Sequence, residues 1–313
     1  MERRFNVYRK QNHCRYGESN DIGAYARRMW LADILDSILI IPGENGASGT
    51  LYQAVLSGNE WELKTETLAS IPSGSKLVIS SEHINRLRSA TVYVIVSTQS
   101  GAGLAVTAFD NLLEPLLKQF DIPFSVHKTI SKTSHREFLK SITFSPDQEN
   151  VVVIFGGDTM IYDLLNSVPN NHNLSSTQSL TICPIPCGTG NALAMSLGTT
   201  SIPIGITKAL GISKTSAQPL PILKVTIRER DAEQVFWGAV VCSWGLHASL
   251  VADSDDPEMR REYGVNRFTV SSRLYRSNDR SPHNAYCLLR LMSITVNYGL
   301  MMLLLKEVNT LIF

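Results

Sequence analysis

Val92-Tyr93-Val94-Ile95-Val96 is an unbroken β-branched and aromatic run that ends in Ser97-Thr98-Gln99-Ser100-Gly101-Ala102-Gly103. A strand without polar alternation is one buried on both faces, as inside a parallel sheet. Beyond the glycines, Leu104, Ala108, Leu112 and Leu116 recur at helical spacing before Pro123. The same order of strand, turn and helix returns three times. Phe124–Thr129 precedes a helix from about Ser134, Val151–Phe155 precedes one from about Met160, and Leu180–Cys183 leads past two prolines to one near Asn191. Four such units predict a doubly wound α/β domain.

In open α/β sheets ligands lie beyond the carboxyl ends of the strands, so chemistry is expected in the loops that follow them. Three of these carry glycine: Ser100-Gly101-Ala102-Gly103, Gly156-Gly157-Asp158-Thr159 and Gly188-Thr189-Gly190-Asn191. Each stands before a predicted helix. Glycine permits positive φ and a close approach of backbone to ligand, and the free amides at a helix start favour an anion. One such loop is ordinary turn chemistry; three in successive units predict a phosphate cradle. There is no GxxxxGK[ST], and no GxGxxG with an acid about 20 residues on, so neither a P-loop nor a dinucleotide site is supported.

Phe155-Gly156-Gly157-Asp158-Thr159-Met160-Ile161-Tyr162-Asp163-Leu164-Leu165-Asn166 resembles the first signature of the diacylglycerol kinase catalytic domain superfamily, with its downstream acid and Asn. Pro186-Cys187-Gly188-Thr189-Gly190-Asn191-Ala192-Leu193-Ala194 is similar to the second signature, and its Asn-Ala-Leu-Ala continuation resembles the sphingosine and ceramide kinase branch. Ser243-Trp244-Gly245-Leu246, then Arg260-Arg261, Gly264 and Arg267-Phe268, resemble the Trp-Gly segment and the Arg-Arg, Gly, Arg-Phe series of sphingosine kinases. The resemblance covers roughly residues 89–269. NAD kinase shares the Gly-Gly-Asp element but matches the later segments less well.

The resemblance implies a Rossmann-like, ATP-NAD kinase-like nucleotide-binding domain at 87–240. Ahead of it, residues 1–86 read from their own strand pattern as a partly β accessory region of unknown role, and the resemblance places the start of an incomplete β-rich, lipid-binding second domain at 241–269. It implies an ATP-dependent lipid kinase using Mg2+, most simply on a sphingoid base; diacylglycerol phosphorylation and a catalytically inactive nucleotide-binding module are the rivals. Phosphoryl transfer asks the protein to neutralise the nucleotide and hold the acceptor hydroxyl in line. A carboxylate at the tip of a phosphate loop can do the second, so Asp158 is the expected general base, its competing role being a cap on its own helix. Ser100, Gly101, Gly103, Thr129, Gly156, Gly157, Thr159, Gly188, Thr189, Gly190 and Asn191 are the expected nucleotide contacts. Trp244 and either Ser249 or Asp253 are expected on the lipid side, and no metal ligand is assigned. Thr159 stands where the family has glycine, which predicts strain if the position needs positive φ. Ser97-Thr98 replaces Asn-Pro, and Asp163 replaces Glu.

The remaining features bound the reading. The 313 residues carry 29 Lys+Arg against 28 Asp+Glu, a net charge of +1 that argues against a dedicated nucleic-acid binder. Five scattered cysteines do not make a disulfide framework. Residues 1–30 read as a basic leader, and Ile38–Ile41 is too short for a signal core or a span. Thr50–Leu56 and Trp61–Leu63, around Gly58-Asn59, read as two strands and a turn. From 270 the resemblance stops. Val270-Ser271 is what an in-frame splice donor would encode, so 270–313 is expected to be an intron-derived tail, with a membrane helix over Leu288–Leu305 as the rival. The expected location is cytoplasmic, with transient contact with intracellular membranes where the lipid substrate lies.

Overall fold

The computed structural model describes residues 34–44, 46–73, 75, 77–168, 180–211, 217, 219–229, 232–240, 242, 246–276, 293–296 and 311–312. The leader at 1–30, Trp244 and most of the 270–313 segment lie outside them.

The anticipated units form a parallel sheet. β4 (Thr91–Val96), β5 (Phe124–Lys128), β6 (Asn150–Gly156) and β7 (Leu180–Pro186) lie in the order β7-β6-β4-β5. In register, Val94 faces Val126 on one side and Val153 on the other, and Val153 faces Cys183. The chain leaves β4 for β5 at one edge and then returns across the sheet to β6. The strand order therefore reverses between β4 and β6, the point at which ligands of open α/β sheets bind. β7 runs through both prolines to Pro186, three residues past the expected end.

Alternate strand residues feed two cores, which is why the sheet reads as continuous apolar runs. Val92, Val94, Val96, Val151, Val153 and Phe155 pack on one face. There they meet a continuous helical stretch of α2 (Ala105–Ala108), a π-helical turn at Phe109–Leu113 and α3 (Glu114–Gln119). Tyr93, Ile95, Val152 and Ile154 pack on the other, against α4 (Ser134–Ser141), α5 (Asp158–Ser167) and α6 (Ala192–Ser196). α5 starts two residues earlier than the spacing predicts, because Asp158 already sits in its first turn, where a negative charge complements the helix dipole.

Ahead of the parallel sheet lies an antiparallel meander, β1 (Ile34–Pro42), β2 (Gly49–Ser57) and β3 (Glu60–Leu68). The β2–β3 turn is at the expected Gly58-Asn59, with Gly58 at φ 61°. Sequence reading misses β1, whose apolar centre Ile38–Ile41 is too short for a signal core or a span and lies here in a strand. Ile38, Leu39, Tyr52, Ala54 and Trp61 join the same core as the α2–α3 face. Asn111 Nδ2 donates to the Trp61 carbonyl at 2.8 Å, and Gln119 Nε2 to the Tyr52 hydroxyl at 2.6 Å. The 86/87 boundary falls inside α1 (Ser81–Arg88). α7 (Ile202–Leu210) completes this layer and also touches β1 through the Thr207 hydroxyl and the Ile38 carbonyl.

Past α7 the chain forms the hairpin β8 (Leu223–Glu229) and β9 (Ala232–Gly238), then α8 (Leu246–Ser254), α9 (Pro257–Tyr263) and α10 (Arg267–Arg276). α10 crosses position 270 without a break, and Ser271 is buried with its hydroxyl 3.4 Å from the Leu250 carbonyl. Short strands β10 (Ser293–Val296) and β11 (Leu311–Ile312) lie beside β8 and β7. Among the described residues no helix is long and apolar enough to cross a membrane.

Candidate active site

The three glycine loops meet at the carboxyl end of the sheet. Two hydrogen bonds splice the second to the third: the Cys187 and Gly188 amides donate to the Gly156 carbonyl at 3.0 and 3.2 Å. The Asp158 amide donates in turn to the Gly190 carbonyl at 3.3 Å. A Cβ on Gly188 would lie 2.6 Å from the Gly157 Cα, and one on Gly157 would lie 2.9 Å from the Gly190 carbonyl oxygen. Those two glycines are required by backbone contact, since both neighbours are main chain and cannot swing aside. The first loop reaches the third at Gly101, where φ is 54° and a Cβ would collide with the Cys187 carbonyl. Gly103, at φ 77°, also needs its missing side chain.

Thr98 and Thr129 lock the first loop to the end of β5. The Thr98 amide donates to Thr129 Oγ1 at 3.0 Å, and the Thr98 hydroxyl to the Thr129 carbonyl at 2.8 Å. Ser100 donates to Ser97 Oγ at 2.6 Å. Ser97-Thr98 thus ties the loop down through side-chain hydrogen bonds. Thr129 is buried beneath the loop, while Thr189 and Gly190 are exposed.

Asp158 Oδ2 accepts the Ala192 amide at 2.7 Å and Oδ1 the Leu193 amide at 3.1 Å. It therefore does not cap its own helix, whose N-cap is Gly157, but the next one. Asn191 occupies the N-cap position of α6 without capping it. Its side chain folds back instead, accepting the Gly188 amide at 2.9 Å and donating to the Gly188 carbonyl at 2.6 Å. A small pocket opens between them, lined by Gly157, Asp158, Asn191 and Ala194 over a floor of Ile154 and Ile161. Thr159 lies within the regular helix α5, and Asp121 is the one described non-glycine residue at positive φ. The strain expected from threonine at 159 is therefore absent.

Arg267 is a site residue that the sequence reading noted in a motif without assigning a role. It is 8% exposed, its Nη1 donates to Thr189 Oγ1 at 3.3 Å and to the Gly264 carbonyl at 3.0 Å, and its Nη2 lies 3.9 Å from Asp255. Its Nε is buried with no partner. A buried cation with an unused donor beside an exposed, amide-rich loop suits an anion. Burial pulls its pKa down from the ordinary arginine value, with Arg260 acting in the same direction.

Ser249 and Asp253, one turn apart on α8, are both half-buried. Their helix is linked to the third loop through α10 and the Arg267 bridge between Asp255 and Thr189. Among the described residues no three His, Cys, Asp or Glu side chains cluster as a metal cage. A Mg2+ delivered with a nucleotide needs none, since it keeps waters and phosphate oxygens and takes one or two carboxylates.

Residues 91–225 match the model of the diacylglycerol kinase catalytic domain, as the two signatures implied. The chain is 24% identical over 192 residues to sphingosine kinase 1 of Homo sapiens, covering 59% of this chain and 48% of that one. It is 25% identical over 196 residues to sphingosine kinase 2 of Homo sapiens, covering 59% and 28%. To sphingoid long-chain bases kinase 1 of Arabidopsis thaliana it is 24% identical over 199 residues, covering 61% and 24%. The chain thus spans about half, or less, of the length of these curated relatives.

Proposed function

We propose that this diacylglycerol kinase-type domain transfers the γ-phosphate of ATP to the hydroxyl of a lipid alcohol, most simply a sphingoid base. The observation that carries the reading is the meeting of three glycine loops at the switch point of the sheet, with Asp158 at their junction. The curated relatives named as sphingosine and sphingoid-base kinases favour that acceptor over diacylglycerol.

In this reading the main chain of Ser100–Gly103, Gly156–Gly157 and Gly188–Asn191 cradles the phosphates, with Thr189 and the spare donor of Arg267 at the anionic end. Thr129 holds the first loop in place through Thr98, and Thr159 stands at the loop's outer edge. Mg2+, bound with the nucleotide, would neutralise phosphate charge; Asp158 is the carboxylate in the cradle near enough to share in holding it. Asp158 has one lone pair on each oxygen committed to an amide, which leaves acceptor capacity for the substrate hydroxyl. It takes the hydroxyl proton as the alcohol oxygen bonds to the γ-phosphorus and the bond to the ADP oxygen breaks. Trp244, by its place in the sequence, with Ser249 or Asp253, is the expected lipid contact, and the lipid is met transiently at a cytoplasmic membrane surface.

The test is transfer of labelled γ-phosphate from Mg-ATP to sphingosine, diacylglycerol and ceramide in mixed micelles, with wild type and Asp158→Asn. Lipid product lost in the variant supports the reading and names the acceptor. Nucleotide binding without product from any lipid would leave a binding module instead.

A further inference from the structure

Two polar residues of the first signature beyond Asp158, namely Asp163 and Asn166, are spent on other elements. Asp163 is 2% exposed; its Oδ2 lies 2.6 Å from His135 Nε2 and its Oδ1 2.7 Å from Arg136 Nη2, which ties α5 to α4. Asn166, one turn further on, reaches the β8–β9 hairpin. Its Oδ1 accepts the Trp237 amide at 2.9 Å, and its Nδ2 donates to the Trp237 carbonyl at 2.7 Å and to the Tyr162 carbonyl at 2.7 Å. Trp237 lies on β9, the outer strand of its sheet, where one row of backbone groups has no strand partner among the described residues. The Asn166 amide thus takes the place of a neighbouring strand at one position.

One helix therefore ends in two attachments. At its start Asp158 holds the amides of α6, and near its last turn Asn166 holds β9. A ten-residue α-helix is a rod of about 15 Å with little give along its axis. The chain continues from β9 toward α8 and α10, which carry the lipid-side candidates and Arg267. We propose that Asn166 is a positioning residue: through α5 it fixes the β8–β9 unit relative to Asp158, so that the acceptor presented from that side lies in line with the phosphate cradle. The catalytic part of this rests on the kinase reading above; the mechanical part does not.

The experiment compares wild type, Asn166→Ala and Asn166→Asp by hydrogen–deuterium exchange, Mg-ATP binding and phosphate transfer to sphingosine. Asn166→Asp keeps an acceptor for the Trp237 amide and loses the donor. In Asn166→Ala, exchange is expected to rise at least tenfold in 232–238 and also to rise at Ala192 and Leu193, whose amides Asp158 holds. Transfer to lipid falls at least tenfold while the nucleotide Kd moves less than threefold, and Asn166→Asp recovers part of both losses. Faster exchange confined to 232–238, or equal losses in nucleotide binding and transfer, would overturn the proposal, because both describe a merely local or structural role. If wild type phosphorylates no lipid, the kinase reading fails and the exchange arm still decides the coupling. Should Asn166→Ala not fold, the same readouts on Asn166→Asp decide it, with an intermediate effect expected.

Discussion

Asp158 caps a helix that is not its own: its Oδ2 accepts the Ala192 amide at 2.7 Å, across 34 residues of chain. The residue that sequence position makes the cap, Asn191, is busy closing its own loop on Gly188. This exchange of duties sets the carboxylate at the junction of the second and third glycine loops and fixes its orientation before any substrate arrives. A group held in that way pays little to reorganise during a reaction.

Replacing Asp158 therefore has two separable effects. Asp158→Ala removes the cap of α6 and is expected to cost about 1 kcal/mol of stability, read as a lower urea midpoint. Asp158→Asn keeps the shape and one acceptor oxygen. Its stability should stay closer to wild type, while lipid phosphorylation falls roughly 10²- to 10⁴-fold, the usual worth of a general base. Equal loss of stability in the two variants, with transfer intact in Asn, would remove Asp158 from the chemistry.

Glycines of one loop should respond differently. A methyl at 188 meets the Gly157 Cα at 2.6 Å, whereas one at 190 meets only the Asp158 carboxylate at 3.8 Å, an ordinary contact. Gly188→Ala is expected to lower the melting temperature by several degrees and abolish Mg-ATP binding. Gly190→Ala should leave the melting temperature within a degree or two and weaken nucleotide alone, because its methyl projects from the exposed side of the cradle. Thermal unfolding and calorimetric titration of both variants check this.

The spare donor of Arg267 predicts a binding effect rather than a folding one. Arg267→Lys keeps a charge and loses the planar fork. Its Mg-ATP affinity is expected to drop about tenfold, corresponding to about 1.4 kcal/mol, with its salt dependence retained because the charge is kept. Unchanged affinity would place the anion elsewhere.

Alkali should destabilise the protein through its buried thiols. Burial pushes the Cys187 thiol from an ordinary value near 9.0 up to about 12, and raises Cys183 further. The unfolded chain then loses its thiol protons first as pH rises. The stabilisation from keeping Cys187 protonated is whole below about pH 9 and is lost progressively as pH climbs toward 12, by about 1.4 kcal/mol at pH 10. Urea midpoints at pH 7, 8.5 and 10 should be flat and then fall, with a shallower fall in Cys187→Ala.

At the opposite end of the sheet, Arg86 clamps Glu149 through Nε at 2.7 Å, and Thr181 Oγ1 donates to the same carboxylate at 2.9 Å. This group lies at the amino ends of β6 and β7, away from the glycine loops. Glu149→Gln should lower stability by about 1–3 kcal/mol, discounted for its partial exposure, and leave the Mg-ATP Kd within twofold. A large change in Kd would mean that strain travels the length of the sheet.

Much of this architecture could be read from the chain because its signals are local. Val92–Val96 announces a two-sided strand through its own side chains, and Gly101, Gly157 and Gly188 mark tight approaches within a few residues of the strands they follow. β1 was missed for the complementary reason: Ile38–Ile41 is a short apolar run whose partner β2 is near in sequence but whose covering helices lie at 105–119 and 202–210. Asp158 with Ala192, Asn166 with Trp237 and Arg267 with Thr189 are separated by 34, 71 and 78 residues. A carboxylate, an amide and a guanidinium accept many partners, and the one each takes depends on where the folded backbone brings an unpaired group. Residue type and spacing thus predicted the four parallel strands and the glycine loops that follow them. The division of labour among the polar side chains, which one caps, which one braces and which keeps a donor free, was left to the path of the chain in space.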